Sequence, residues 1–426
     1  MSMGDFLSGI GPIHGWAMAT AALVSAGAAA IGSMLVVRKM SLVGDAISHA
    51  VLPGIVVAVL AGGKPGGPLV IAGAVVAALL TVWLTHVLRG QVGLAEDAST
   101  GVVFTTFFSF GVILITAVAS QVDLDPACVL YGILELVPFD TVTLYGCEVP
   151  RSFLSAVVVL AIVGLGLVVS WRLQVFVAFD TAAAQAAGMP VAFATIVLVL
   201  FTAMTVVAGF EAVGAILIVA MLVVPAATAE LLVHRMHHVV CMAVLLAVVG
   251  SIVGYGAAWY LNTNAAGMIA VLLGLEYILA VVFAPTDGLV SDLMGVVWLR
   301  WRVACEDQLA MIWRFEESAG VRRFTSPTGW IDRIARQWLV MTGRIHCTNG
   351  QWELDSHSRA TAESIVRSHR LWEAWLGRHA DLPLDHLHPP AEFIEHHLGS
   401  RLLRQIEDDL GQERRDPHGS DIPPER

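Results

Sequence analysis

WAMATAALVSAGAAAIGSMLVV, residues 16–37, followed by Arg38-Lys39 and then by MSLVGDAISHAVLPG over residues 40–54, is the stretch that decides the class of this chain. An uncharged, mostly apolar run of that length crosses the ~30 Å hydrocarbon layer of a bilayer as a single helix. Two basic residues close it, and a second apolar run begins within a few residues. The start ahead of it is uncharged or acidic rather than basic, so the run is expected to stay in the mature protein as a span.

The remainder of the chain agrees. Of 426 residues, 57% are hydrophobic and only 14% charged, too little charge to cover a water-soluble surface. Apolar runs fall at 16–37, 45–62, 67–88, 100–119, 153–170, 192–210, 213–233, 238–261 and 267–284, which predicts eight or nine transmembrane helices. Gly and Ala throughout these runs suit helices that associate by close backbone contact in lipid. Basic residues follow the first, third, fifth and seventh runs (Arg38, Lys39, Arg89, Arg172, Arg235), while the alternate loops hold only Lys64 and Arg151. The positive-inside rule then puts the C-terminal part in the cytoplasm. The apolar piece Cys128 to Val137 leaves the side of the N-terminus open. Five cysteines form no CxxC pair, which argues against a zinc knuckle or dithiol motif; Cys128 and Cys147 are in reach of pairing if their loop is external.

The apolar pattern stops near Pro285. Seven of the 24 Lys and Arg precede residue 300; the other seventeen, all Arg, follow with nine of the fifteen His. From there the chain reads as a small α-rich cytoplasmic domain. Helices are predicted over Glu306 to Glu317 and Ile331 to Thr342, with a hairpin around Asn349-Gly350, the order of a winged helix. Two more helices follow, Ser356 to His379 and Pro390 to Asp409. The net charge of −11 argues against a nucleic-acid footprint for the whole chain and leaves a local basic face open.

Asp45 and His49 carry the sharpest chemical signal in the membrane half. At i and i+4 on a helix, a carboxylate and an imidazole stack on one face and can grip one divalent cation. Ionisable groups inside a span are costly and usually functional. The spacing alone equally allows Asp45 to cap the helix with His49 hydrogen-bonded in the bundle. Glu211, Glu230, Glu276 and His86 lie in or near spans and are given no role. In the tail, Glu392, Glu395 and His396 stand at i, i+3 and i+4, and His369 and Glu373 repeat the i, i+4 spacing. Carboxylate and imidazole donors without thiolate suit manganese or ferrous iron, and zinc as well. A solvated amphipathic helix is the plain alternative for one such cluster; two clusters weaken it. No GxxxxGK[ST] occurs, so the chain is expected to be no enzyme, with ATP hydrolysed by another chain.

The segment Met40 to Gly54 resembles the signature of the ABC permeases that import manganese, zinc or iron, and the likeness extends over 14–290. Gly101 to Thr116 is similar to that family's fourth-span region. Val122 to Leu134 is similar to its VDL...FGNIL stretch, with Tyr131 for Phe and Ile133 for Asn, and Val213 to Ala229 to its VGALLVVALLIIPAATA run. The resemblance implies an inner-membrane permease domain over 1–290, working as a homodimer or with a paralogous permease. It also implies a cytosolic ATPase and an extracytoplasmic metal-binding protein as partners. Residues 179–190, including Asp180, Gly188 and Pro190, resemble the short helix that such permeases insert into the ATPase, and Asp45 and His49 would handle the ion.

SHRLWEAWL, LHPPAEFIEHHL and RDPHGSDIP resemble the metal-dependent repressors of the diphtheria-toxin-repressor and manganese-repressor family. That likeness implies a degenerate winged helix over 304–354 and a metal-binding, dimerising domain over 355–426. Glu392, Glu395 and His396 would form the primary metal site, and His369, Glu373 and His388 the ancillary one. In the manganese-selective branch the residue matching His369 joins the primary site's neighbourhood. Asp307 matches a first-helix ligand of that branch, whereas Ala310 replaces the Glu expected three residues later. The helix-turn-helix region is several residues short, though Arg322, Arg323, Arg333 and Arg336 keep charge there. Two functions follow as expectations: a metal importer whose tail senses metal and regulates transport, or a membrane-tethered, metal-dependent transcriptional regulator.

Overall fold

Nine helices among the described residues are long and apolar enough to cross a membrane: His14–Val37, Ser41–Leu60, Pro68–Val92, Asp97–Ala117, Arg151–Phe179, Val191–Phe210, Ala212–Leu232, Met236–Leu261 and Ala265–Phe283. The protein is therefore an all-α polytopic membrane protein with a helical C-terminal part. The computed structural model describes residues 12–63, 67–118, 132, 134–144, 147–318, 329–348, 351–380, 399–411 and 415–424. The chain forms two units, Met1–Ser291 and Asp292–Arg426.

In the first unit, α1 (Pro12–Val37) is the central element. Its Ala17, Ala21, Ala28 and Ala29 are fully buried, so the backbones of its neighbours approach closely. The second apolar run, expected over 45–62, is one span over Ser41–Leu60, made of α2 (Ser41–Ala50) and α3 (Leu52–Leu60) joined at Val51, whose φ of −71° and ψ of −18° stay helical. Pro53 has no N–H to return to the His49 carbonyl, so one rung is missing there, while the Val51 N–H still reaches Ile47 and the Ile55 N–H reaches Val51. Then come α4 (Pro68–Val87), a π-helical turn (Leu88–Val92), α5 (Glu96–Val118), a 3-10 turn (Leu134–Phe139) and an antiparallel hairpin of β1 (Thr141–Leu144) and β2 (Cys147–Pro150).

The long α6 (Arg151–Phe179) leads through the short α7 (Thr181–Ala186) into α8 (Val191–Leu232). As a straight rod α8 would measure about 63 Å, twice a bilayer core. It is instead broken at Gly214, whose φ of 77° and ψ of 168° only glycine adopts readily. The halves fold back on each other: a methyl group on Gly209 would lie 2.7 Å from Ile218 Cδ1. α9 (Met236–Leu261) and α10 (Ala265–Phe283) complete the bundle.

Contacts between helix ends define the two faces. Arg38 reaches Gln174, and His234 stands 3.8 Å from Asp287, which groups the ends of the first and fifth spans and those of the seventh and ninth. At other ends, His14 Nδ1 lies 3.1 Å from the Tyr255 hydroxyl, and the Ala265 N–H donates to Glu135 over 3.1 Å.

The second unit starts within α11 (Leu289–Glu317), a single helix beginning well before the expected Glu306. Its Ala304, Cys305, Leu309 and Ile312 pack with Ala335 and Leu339 of α12 (Trp330–Met341) and with Ile345 and Leu354 of an antiparallel hairpin. The hairpin strands are β3 (Ile345–Thr348) and β4 (Gln351–Leu354); the expected Asn349-Gly350 turn lies outside the described residues. Next, α13 (Ser356–His379) packs Leu371 and Ala374 against Ile406 and Leu410 of α14 (Ser400–Leu410).

Candidate functional site

Asp45 and His49 lie one and two turns into α2. His49 Nε2 is 3.6 Å from Asp45 Oδ1, and both side chains are partly exposed. Much of that helix is packed away: Val43, Gly44, Ala46, Ile47, Ser48 and Ala50 are buried, Gly44 against Leu222 of α8, whereas Leu42 is exposed. The imidazole leans on aromatic rings of α5, 5.3 Å from Phe108 edge-on and 6.1 Å from Phe104. Those rings limit where the imidazole can turn. Asp45 caps nothing, since the Met40 and Ser41 end of α2 has no side-chain cap. The pair offers an oxygen and a nitrogen donor on one open face.

The 179–190 loop folds as anticipated from its small residues. Asp180 caps α7, its Oδ1 accepting from the Ala183 N–H over 2.8 Å. Gly188, at φ 73°, turns the chain, and Pro190 precedes α8. Ala184 is fully buried against Val177 and Ala194, while Thr181, Ala182, Gln185 and Ala186 face outward.

In the tail, His369 and Glu373 are both buried, His369 Nε2 lying 3.1 Å from Glu373 Oε1. His418 Nε2 stands 3.9 Å from the same oxygen. The RDPHGSDIP segment is folded onto α13 by arginines. Arg370 pairs with Glu317, donates to the Asp421 carbonyl, and lies 3.6 Å from Asp416. Asp416 Oδ1 in turn accepts from the N–H groups of His418 and Ser420. Arg367 pairs with Glu407 at 2.6 Å and donates to the Pro423 carbonyl.

Asp307 is half-buried on α11. His388, Glu392, Glu395 and His396 lie outside the described residues, as do Asp123, Asp125, Cys128, Arg322 and Arg323. Among the described residues no group of three or more His, Cys, Asp or Glu is placed to hold a metal ion. Arg336, one of the arginines considered for a nucleic-acid face, donates to Gln308 over 3.1 Å and lies over the Trp352 ring. Glu230 and His86 are exposed.

Arg38 and Gln174 gave no sequence signal beyond a basic residue and an amide at span ends. Gln174 is fully buried; its Oε1 accepts from Arg38 Nη2 over 2.6 Å and its Nε2 donates to the Ala194 carbonyl over 3.0 Å.

Residues 12–284 match the ABC 3 transport family, and residues 357–424 match the iron dependent repressor, metal binding and dimerisation domain. The chain is 38% identical over 279 residues to the manganese transport system membrane protein MntD of Bacillus subtilis, an alignment covering 65% of this chain and 94% of that protein. With the manganese transport system membrane protein MntC of the same organism it shares 28% identity over 86% of this chain and 85% of that one, an overlap too long to stop at the membrane unit. Among solved structures, PsaBC from Streptococcus pneumoniae in complex with Fab aligns with a TM-score of 0.58 and 27% identity, over 67% of this chain and 98% of that one. With a family match running over more than half of its length, the chain belongs to the ABC 3 transport family and carries a repressor-type metal-binding and dimerisation domain at its C-terminal end.

Proposed function

We propose that this protein is the inner-membrane permease subunit of an importer for a divalent transition metal, manganese, zinc or iron, with its tail in the cytoplasm. The observation that carries the reading is the Asp45 and His49 pair, set on one partly open face of a membrane span in a bundle with nine spans among the described residues. Ionisable side chains inside a span are costly to hold and commonly mark an ion pathway. A second permease copy or a paralogue would add the remaining donors. The relatives named as manganese transport proteins support the metal class.

Docking of a cytosolic ATPase onto the outward face of α7 would drive the cycle, and an extracytoplasmic protein would deliver the metal. For the tail we propose metal sensing through Glu392, Glu395 and His396, with His369, Glu373 and His388 beside them and Asp307 from α11. His369 and Glu373 fit such a metal: two buried donors, hard oxygen and imidazole nitrogen, already share one position. A metal bound there would add charge-compensated cross-links between helices, and the loaded tail would favour the resting transport state. Only a metal that binds the two states unequally can do this. A DNA-binding role is the weaker reading, because Arg336 is committed to Gln308 and Trp352.

The test is ATP-driven uptake of manganese, iron and zinc into vesicles holding the protein with its ATPase and binding protein. Wild type, Asp45→Ala/His49→Ala and a chain ended after Val303 would be compared. Loss of uptake in the double variant, and indifference of the shortened chain to internal metal, are the expected results. Normal uptake by the double variant rules out the pathway; normal feedback in the shortened chain rules out the sensor.

A further inference from the structure

α7 rests on the bundle through Ala184, and the residues that hold Ala184 are joined to a polar relay. Ala184 is buried against Val177 of α6 and Ala194 of α8. One turn before Val177, on the same side of α6, stands Gln174. Its carboxamide uses both ends: Nε2 donates to the carbonyl of Ala194, and Oε1 accepts from Arg38. The Ala194 that supports α7 through its methyl group thus also holds Gln174 through its backbone.

Arg38 sits just beyond α1 and just before α2. Lys39, at φ 58°, and the bonds from the Lys39 N–H to Val36 and from the Met40 N–H to Leu35, each 2.8 Å, make this a tight turn. A displacement of Arg38 therefore reaches Ser41, and from there Asp45, through seven residues of turn and helix. The guanidinium is largely buried, and burial pushes its pKa down to about 10. Gln174 is the hydrogen-bond partner recorded for it; Nε and Nη1 are buried with no partner among the described residues. A buried cation with unmet donors is costly to hold in one place, so it has reason to exchange partners when its surroundings move.

We infer that Arg38, Gln174 and the Ala194 carbonyl form a strap tying α7 to the start of α2, so that movement of α7 is passed to the Asp45 and His49 pair. This rests on the transport reading for what moves α7. Arg38 and Gln174 are positioning residues: neither touches the metal. Each arm can be cut separately. Gln174→Glu keeps an acceptor for Arg38 and removes the donor to Ala194, whereas Arg38→Met keeps the Gln174 to Ala194 bond and frees α1.

Vesicles holding the complex of this chain with its ATPase are assayed for metal imported and ATP hydrolysed. Both variants are expected to keep hydrolysing ATP while the metal-to-ATP ratio falls by at least about fivefold, the lower end of ordinary coupling between sites. An unchanged ratio overturns the strap, including the case where uptake and hydrolysis fall together. A second measurement needs no metal: thiol labelling of Lys39→Cys in a cysteine-free background, with and without ATP and vanadate. An ATP-dependent change in labelling that Gln174→Glu removes supports the strap; absence of any change in the otherwise wild-type chain overturns it. If that chain shows the labelling change yet imports no metal, the transport reading fails and the strap stands.

Discussion

A methyl group placed on Gly132 would come within 2.5 Å of the Gly214 nitrogen and 2.4 Å of the Val213 carbonyl carbon. Gly132 therefore sits against the point where α8 reverses. Both glycines have positive φ, 66° and 77°. Alanine at 132 meets backbone rather than a yielding side chain, and Gly214→Ala adds backbone strain of about 1–3 kcal/mol. Each single substitution is expected to lower the apparent Tm of the full chain in detergent, with Gly132→Ala also separating residue 132 from the α8 turn. Wild-type Tm values for both would remove this role.

The membrane spans were legible because a helix in lipid must satisfy its backbone internally, so length and hydropathy suffice to find it. What those cannot reveal is how a run is broken. Pro53 was visible, yet proline is tolerated in spans, and the division into α2 and α3 became evident only in the structure. The bond from Arg38 to Gln174 joins residues 136 apart, which no periodicity reports. α11 was read from Glu306 because the change from apolar to amphipathic pattern masks a helix that is continuous from Leu289. The i, i+4 pairs Asp45 and His49, and His369 and Glu373, were legible because helical pitch alone brings them together.

Asp45→Asn keeps the volume of the side chain and removes its charge. If the carboxylate is a ligand, apparent affinity for transported metal is expected to weaken by at least about tenfold, as loss of even a supporting residue does at many metal sites. Competition between metals in the uptake assay should shift with it, since the amide oxygen favours hard cations less. His49→Ala should weaken zinc more than manganese, because imidazole suits the softer ion. Equal affinity in all three chains would remove both residues from the pathway.

Arg370 holds the RDPHGSDIP segment through Glu317, Asp416 and the Asp421 carbonyl, and its guanidinium lies over Trp313. Arg370→Ala leaves the buried Asp416 carboxylate without its cation, while Glu317 stays solvated; removing one partner of a buried pair commonly costs up to about 3–5 kcal/mol. Hydrogen exchange on the full chain should show 415–424 and α13 losing protection while the membrane helices keep theirs. Protection unchanged in 415–424 would mean that another contact holds the segment.

Asp355 begins α13, its Oδ1 accepting from the Ser358 N–H over 2.8 Å. Hydrogen bonds from Ser358 favour the charged form and hold the Asp355 carboxyl below its ordinary value. A depressed carboxylate pKa stabilises the fold above the unfolded-state pKa and ceases to do so as pH falls through the folded-state value. The cap is therefore fully effective at neutral pH and fades only in acid below about pH 4. Asp355→Ala should cost about 1 kcal/mol of local stability at pH 7. Asp355→Asn, which keeps an acceptor without the charge, should lose less and lose its pH dependence. Hydrogen exchange at the Ser358 amide, followed from pH 7 to pH 3, distinguishes the three chains; a wild-type profile parallel to that of Asp355→Asn would show that the charge contributes nothing to the cap.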